Sequence, residues 1–274
     1  RYTLSSEWAT IEIEEGRRTC TVNGIQLHLS RAPITRGTLL YIMRGDYQKT
    51  IEPLILPQNF GQPPRLRTIV IDAGHGGRDN GAESKSLKVR EKDLTFDLAK
   101  RLKTLLEDRG YNVILTRSRD EFIELDERPA RAARANADLF ISLHFNASTD
   151  ASVRGAETYI LPPAGMPATN GSGSDTSALP GNKFDAWNMV AAYYVQRELA
   201  NTMGAQDRGV RRARFAVLRG AKCPGMLVES GFVSNAAEGS KLASIAYRQK
   251  LASSLADAVD AYSRTLKRVA SAAK

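Results

Sequence analysis

The chain has 274 residues, 42% hydrophobic and 25% charged, ordinary values for a folded protein with a sizeable core. Its formal charge of +9, with a pI near 9.6, is not ordinary and points to an anionic partner: nucleic acid, an acidic membrane face or an anionic cell-wall polymer. No apolar run reaches the roughly 18 residues of a membrane span, Cys20 and Cys223 leave the question of pairing open, and the opening at Arg1 rather than Met fits a targeting segment already removed.

Short β-like segments come first, at 8–14, 20–22, 26–29 and 39–42, separated by turn signals such as Asn23-Gly24 and Arg44-Gly45-Asp46. Residues 1–56 are therefore expected to form a small β-rich module, followed by a Pro/Gly-rich linker over 57–66. Beyond it the pattern alternates. A continuous apolar run at 68–72 (TIVID) reads as a strand buried on both faces. Residues 91–108 read as an amphipathic helix with Leu94, Leu98, Leu102, Leu105 and Leu106 on one face and Gly110 ending it. Strands are expected at 113–116, 139–143, 157–161, 215–218 and 226–228, and helices at 125–136, 186–203 and 238–266. The fold class is thus α/β: a mostly parallel twisted sheet flanked by helices over 67–266, preceded by the β-rich module. The tail 267–274 is expected to fray. One stretch breaks the rhythm, the Gly/Ser-rich insertion at 162–183, and a loop of that length in a compact domain invites a functional reading.

The chain has three histidines, so each can be weighed. His28 lies in the N-terminal module with no acid or cysteine at ligand spacing and reads as structural. His75 follows the TIVID strand inside Gly74-His75-Gly76-Gly77, where glycines permit unusual backbone angles and close approach. His144 ends the apolar run 139–143, and Glu229 ends Met226-Leu227-Val228. Glu91 starts a helix leaving the first strand and shares the apolar face of Leu94 and Leu98, a costly place for an unpartnered carboxylate. Each alone has a bland explanation: a hydrogen-bonded histidine, or an acid complementing a helix dipole. Together they fall at the carboxyl edge of one parallel sheet, where such folds bind ligands. Two imidazoles and a carboxylate form the His₂Glu set of catalytic zinc, with the second carboxylate, Glu229, left to move protons. Neither cysteine belongs to a C-x-x-C pair, which argues against a closed structural zinc site.

The string Ile71-Asp72-Ala73-Gly74-His75-Gly76-Gly77-Arg78-Asp79-Asn80-Gly81-Ala82 resembles the opening motif of N-acetylmuramoyl-L-alanine amidases of the Amidase_3 type. Later segments resemble that family in order: Glu91 before an amphipathic helix, 137–147 around His144, Asp207-Arg208-Gly209-Val210, and 228–235 around Glu229. The resemblance covers roughly residues 67–265. It implies Zn²⁺ held by His75, Glu91 and His144, catalysis by Glu229, and as substrate the amide joining the lactyl group of N-acetylmuramic acid to L-alanine in peptidoglycan. It also implies a periplasmic, secreted or wall-associated site of action and an activator protein as partner. In some relatives an insertion near 162–183 carries a helix that blocks the site until an activator displaces it; this one is poor in helix formers and is expected instead to act as a lid or substrate-facing loop.

The basic run Arg208, Arg211, Arg212, Arg214, Arg219 and Lys222 reads first as a solvated face and second as an attractor for anionic wall polymers. Nucleic acid has no recognition motif or aromatic platform here, and a monomer is expected. A zinc peptidase acting on stem peptides, a glycosidase using Glu91 and Glu229, and a non-catalytic wall-binding protein on the same scaffold are the competing readings.

Overall fold

The structure, a computed structural model, describes residues 1–171 and 175–272. Its centre is a ten-stranded sheet in the order β1-β2-β3-β4-β13-β12-β14-β11-β7-β10. The N-terminal strands β1 (Tyr2–Ser5), β2 (Thr10–Ile13), β3 (Thr19–Val22) and β4 (Ile25–His28) form an antiparallel meander. A small hairpin, β5 (Ile34–Arg36) with β6 (Leu39–Tyr41), and helical turns α1 (Arg44–Asp46) and α2 (Glu52–Ile55) follow. Rather than standing apart, β4 lies parallel to β13 (Asp207–Arg212), with Leu27 opposite Val210. Ile11, Ile13, Val22, Leu27 and Leu29 join the same apolar core as the rest of the chain. A meander this small buries too little area alone, and docking on the main sheet supplies the missing contact.

The central strands β7 (Thr68–Ala73), β11 (Leu139–Asn146) and β14 (Gly225–Phe232) run parallel to one another, as does β10 (Asn112–Leu115) at the edge. Leu residues spaced three and four apart bury one side of α3 (Glu91–Asp108) against this sheet. On the same face pack α5 (Asp185–Asn201) and the long α8 (Ile245–Ala272). The opposite face is covered by the shorter α4 (Glu127–Arg134) and α6 (Ala216–Arg219), through Ala132, Val217 and Leu218 against Val70, Phe140, Tyr159 and Leu227. A minor hairpin, β8 (Glu83–Ser84) with β9 (Val89–Arg90), precedes α3, and α7 (Ala236–Ala243) precedes α8.

Four expectations need correction. The strand near the basic run is not 215–218, which carries α6, but β13; its arginines hide the alternation that Val210 and the buried Arg212 provide. The last helix is two, broken at Ser244 where the backbone is extended. The tail does not fray at 267: α8 continues to Ala272 because Val269 is fully buried and Arg268 stacks 3.8 Å over Trp8 while bonding Glu7. Ala273 and Lys274 lie outside the described residues.

The insertion at 162–183 is the fourth. Strand β12 (Ala156–Ile160) runs antiparallel to β14, with Glu157 opposite Glu229 and Tyr159 opposite Leu227. The chain therefore leaves β12 at the amino edge of the parallel strands, the end opposite His144 and Glu229. There Thr169 exchanges hydrogen bonds with the Arg212 backbone, Arg214 donates to the Asp175 and Ser177 carbonyls, and Met166 is buried beside Gly45. The described part of the insertion packs away from the expected site, contrary to a lid; residues 172–174 lie outside the described residues.

Candidate metal centre and its neighbouring carboxylate

At the carboxyl edge, β7 ends in a loop that turns His75 back over the sheet. His75 adopts φ 60°, a left-handed conformation uncommon for a residue with a side chain and held only when the surroundings enforce it. Two buried arginines do so. Arg117 donates to the Ala73 carbonyl (3.0 Å) and the Lys92 carbonyl (2.7 Å), and Arg128 donates to the His75 carbonyl (3.0 Å) and to Asp72 (2.9 Å). Asp72 is in turn saturated by Ser142 and Thr116. The carbonyls of Ala73, Gly74 and His75 are thus all held by buried guanidinium groups.

Three side chains converge above this frame. His75 Nε2 lies 3.0 Å and His144 Nδ1 3.1 Å from the same Glu91 oxygen, Oε1. The two rings meet edge-on, centroids 4.9 Å apart at 77°. Ligand atoms of His75, Glu91 and His144 all fall within 4.8 Å of one another, a cluster that one ion can bridge. Glu91 is buried and also accepts from the backbone N–H of Ala82 (2.8 Å) and Phe145 (3.0 Å). Burial alone would raise its pKa, but the His144 and His75 side chains outweigh burial and hold the carboxyl far below the usual carboxylate range. Burial likewise opposes the charge on His75, yet Glu91 and then Asp79 overcome it and raise that imidazole. Asp79 Oδ2 sits 2.8 Å from His75 Nδ1, so Nδ1 carries the proton and Nε2 offers its lone pair to the cluster.

Closeness is enforced by glycine. A Cβ on Gly74 would lie 2.4 Å from His144 Cε1, and one on Gly81 would lie 2.6 Å from both Glu91 Oε2 and His75 Cδ2. The donors suit a small cation: two imidazoles and one carboxylate, braced from behind by Asp79 and backbone amides.

Glu229 lies within β14 rather than at its end, in register with His144 on β11. Its Oε2 is buried without a hydrogen-bond partner among the described residues. Burial first, then the charges of Glu91 and Glu157, push the carboxyl well above its ordinary value. An unsatisfied, proton-avid carboxylate beside a metal-competent cluster is a candidate acid–base group.

Residues 69–261 match the Amidase_3 family, described as N-acetylmuramoyl-L-alanine amidase. The chain belongs to this family. It is 39% identical over 197 residues to the N-acetylmuramoyl-L-alanine amidase LytC of Bacillus subtilis, an alignment covering 72% of this chain and 36% of LytC. The chain thus matches only about a third of that relative's length. Among solved structures, the catalytic domain of CwlV from Bacillus (Paenibacillus) polymyxa var. colistinus is similar with TM-score 0.61 and 31% identity, covering 72% of this chain and 98% of that one. The CwlD amidase of Clostridioides difficile, solved in complex with the GerS lipoprotein, gives TM-score 0.61 at 27% identity over 73% of this chain and 99% of that one. All four singled-out residues of this Amidase_3 chain fall inside the family match, which begins after the N-terminal meander.

The fold brings His75, Glu91 and His144 into contact and sets Glu229 beside them. His28 is elsewhere, its Nε2 against the Arg208 carbonyl (2.9 Å), as a structural histidine should be. Both cysteines are free and buried. Sequence reasoning missed the bracing set Asp79, Arg117 and Arg128, and it missed Glu157. The signal for Glu157 was available: it is an acid at the start of a strand segment otherwise free of charge, but only the antiparallel direction of β12 places it opposite Glu229.

Proposed function

We propose that this chain hydrolyses the amide between the lactyl group of N-acetylmuramic acid and L-alanine in peptidoglycan, at a zinc site made by His75, Glu91 and His144, with Glu229 moving the proton. The observation that carries the reading is the convergence of two imidazole nitrogens on one buried Glu91 oxygen, at 3.0 and 3.1 Å, next to the unsatisfied Glu229. Family membership supplies the bond to be cut.

Bound in this donor set, zinc supplies Lewis-acid polarisation of a carbonyl and acidification of water. The remaining work belongs to the protein. Asp79 fixes the His75 tautomer, and the glycines at 74 and 81 let the donors close up. Glu229, which holds a proton more tightly than an exposed glutamate, takes one from the attacking water and returns it to the leaving L-alanine nitrogen. The acceptor is then regenerated for the next turnover.

The site of action proposed is outside the cytoplasmic membrane, where peptidoglycan lies; among the described residues no helix is long and apolar enough to cross a membrane. A protein partner that activates the enzyme is part of the proposal, by analogy with CwlD in its complex with GerS. Mass spectrometry of digests of purified peptidoglycan, with and without chelator, tests the reading. Release of the L-alanine amine with glycan strands left intact, lost on chelation and restored by zinc, is the expected outcome. Cleavage within the stem peptide would identify a peptidase instead, new reducing ends a glycosidase, and binding without products a wall-binding protein.

A further inference from the structure

The basic run does not behave as one surface. Arg212 is buried and donates its terminal nitrogens to the His28 and Lys49 carbonyls and to Thr50. Arg214 clasps the Asp175 and Ser177 carbonyls. These two arginines spend their donors on structure. Among the described residues, Arg208 and Arg211 commit only their Nε atoms. Arg208 Nε donates to Glu157 Oε2 (3.0 Å); Arg211 Nε donates to the Arg208 carbonyl (3.2 Å) and forms an ion pair with the same Oε2 at 3.1 Å, while Glu157 Oε1 is occupied by Asn146 (2.9 Å) and Tyr159 (2.8 Å).

Two consequences follow from that arrangement. One buried carboxylate serves two guanidinium groups, so a positive charge is left over. The terminal nitrogens of both arginines have no hydrogen-bond partner among the described residues, although their side chains are only 26% and 21% exposed. Arg208 is further fixed with its guanidinium carbon 5.1 Å from the Phe232 ring centre. Paired forks with free ends are well suited to bind a carboxylate.

Their position gives the anion a place in the substrate. His144 is in register with Glu229 and Glu229 with Glu157; on β13, Ala156 is opposite Asp207 and Thr158 opposite Val210, so Glu157 lies level with Arg208, while Arg211 is opposite Tyr159, two residues nearer the amino edge on the same face as Glu157. The helices α4 and α6 cover that face as far as Tyr159 and Leu227, and His144, Glu229, Glu157 and Arg208 lie beyond them towards the carboxyl edge. Two strand spacings of about 4.8 Å separate β14 from β13, a distance an extended peptide covers in about three residues. We infer that Arg208 and Arg211, presented by Glu157, anchor a carboxylate of the stem peptide two to three residues beyond the scissile amide. The inference rests on the amidase reading and adds to it a requirement for an anionic peptide.

The test uses the zinc-loaded 274-residue chain and two synthetic muramoyl tripeptides, identical except that the peptide carboxylates are free in one and amidated in the other. Wild type should cleave the free acid with a kcat/KM about tenfold to a hundredfold higher, the difference lying in KM. The double variant Arg208→Gln/Arg211→Gln should lose that preference, bringing the ratio near one, and Arg211→Lys, which keeps charge without the fork, should fall between. A ratio near one in wild type, or an undiminished ratio in the double variant, overturns the anchor. Calorimetric binding of the free tripeptide acid and its amide to wild type needs neither variant nor turnover; equal affinities would overturn it as well. Should wild type release no L-alanine amine from either substrate, the amidase reading falls, while the binding comparison still decides the anchor.

Discussion

Replacing Gly74 with alanine tests the metal centre through geometry alone. The added Cβ would lie 2.4 Å from His144 Cε1, and ordinary contact begins near 3.4 Å, so one side must give by about 1 Å. The Gly74 backbone is poorly placed to yield: its N–H donates to Leu143 (3.1 Å) and its carbonyl accepts from Thr95 (2.9 Å) and Arg117 (3.2 Å). The imidazole therefore moves. Metal–ligand distances tolerate about 0.2 Å, so a shift near 1 Å removes His144 from the donor set. The expected result is zinc retention well below one equivalent after dialysis, measured by inductively coupled plasma mass spectrometry. Turnover on purified peptidoglycan should fall by about 10² or more, with an overpacking cost of about 1–3 kcal/mol in denaturant unfolding. Gly220→Ala is the control, since its methyl would meet only Pro129 Cγ at 3.7 Å. Full zinc occupancy and wild-type turnover in Gly74→Ala would refute the assignment of His144.

Glu229→Gln should retain zinc and lose turnover by about 10² to 10⁴; a variant that cleaves at the wild-type rate sinks the proton-transfer role. Asp79→Asn removes the acceptor on His75 Nδ1 and should weaken zinc affinity by about 10–100-fold, read by competition with a chromogenic chelator; unchanged affinity would show that Asp79 does not set the tautomer. Asp97 joins α3 to α8 through Arg248 (2.6 Å) and pairs with Arg101 one turn along α3 (2.8 Å); burial opposes its charge, but the two arginines outweigh burial and lower its pKa below 3.8. Its contribution is present above pH 3.8 and lost as pH falls through the lowered folded value. Asp97→Asn should thus cost about 0.5–1 kcal/mol at neutral pH, the pair being partly exposed, and the difference should vanish in strong acid when unfolding is followed against pH.

Much of the site is legible in the sequence because its residues announce themselves locally. Gly74-His75-Gly76-Gly77 after a buried strand, His144 at the end of another and Glu91 on an apolar helix face are each costly without a purpose, and strand ends in a parallel sheet meet at one edge. The bracing residues are not legible in the same way. Arg117 and Arg128 act on backbone carbonyls 25 to 55 residues away in sequence, and nothing in local pattern distinguishes them from surface arginines. The basic run misleads for a related reason: six cations close in sequence look like one face, yet Arg212 and Arg214 are tied to backbone carbonyls while Arg208 and Arg211 share Glu157 once β13 is paired on both sides.

Sequence by itself determined the alternation of strands and helices, the identity of the converging donors and the family, because these depend on short-range periodicity and on motifs that tolerate little change. Tertiary structure decided direction and adjacency. That β12 runs against β14 sends the 162–183 insertion to the far edge and brings Glu157 beside Glu229; that β4 pairs with β13 makes the N-terminal meander part of the sheet. Both outcomes turn on backbone hydrogen bonds between strands distant in sequence. Those bonds are nearly the same for any side chain, so local pattern carries no mark of which strand will be the neighbour.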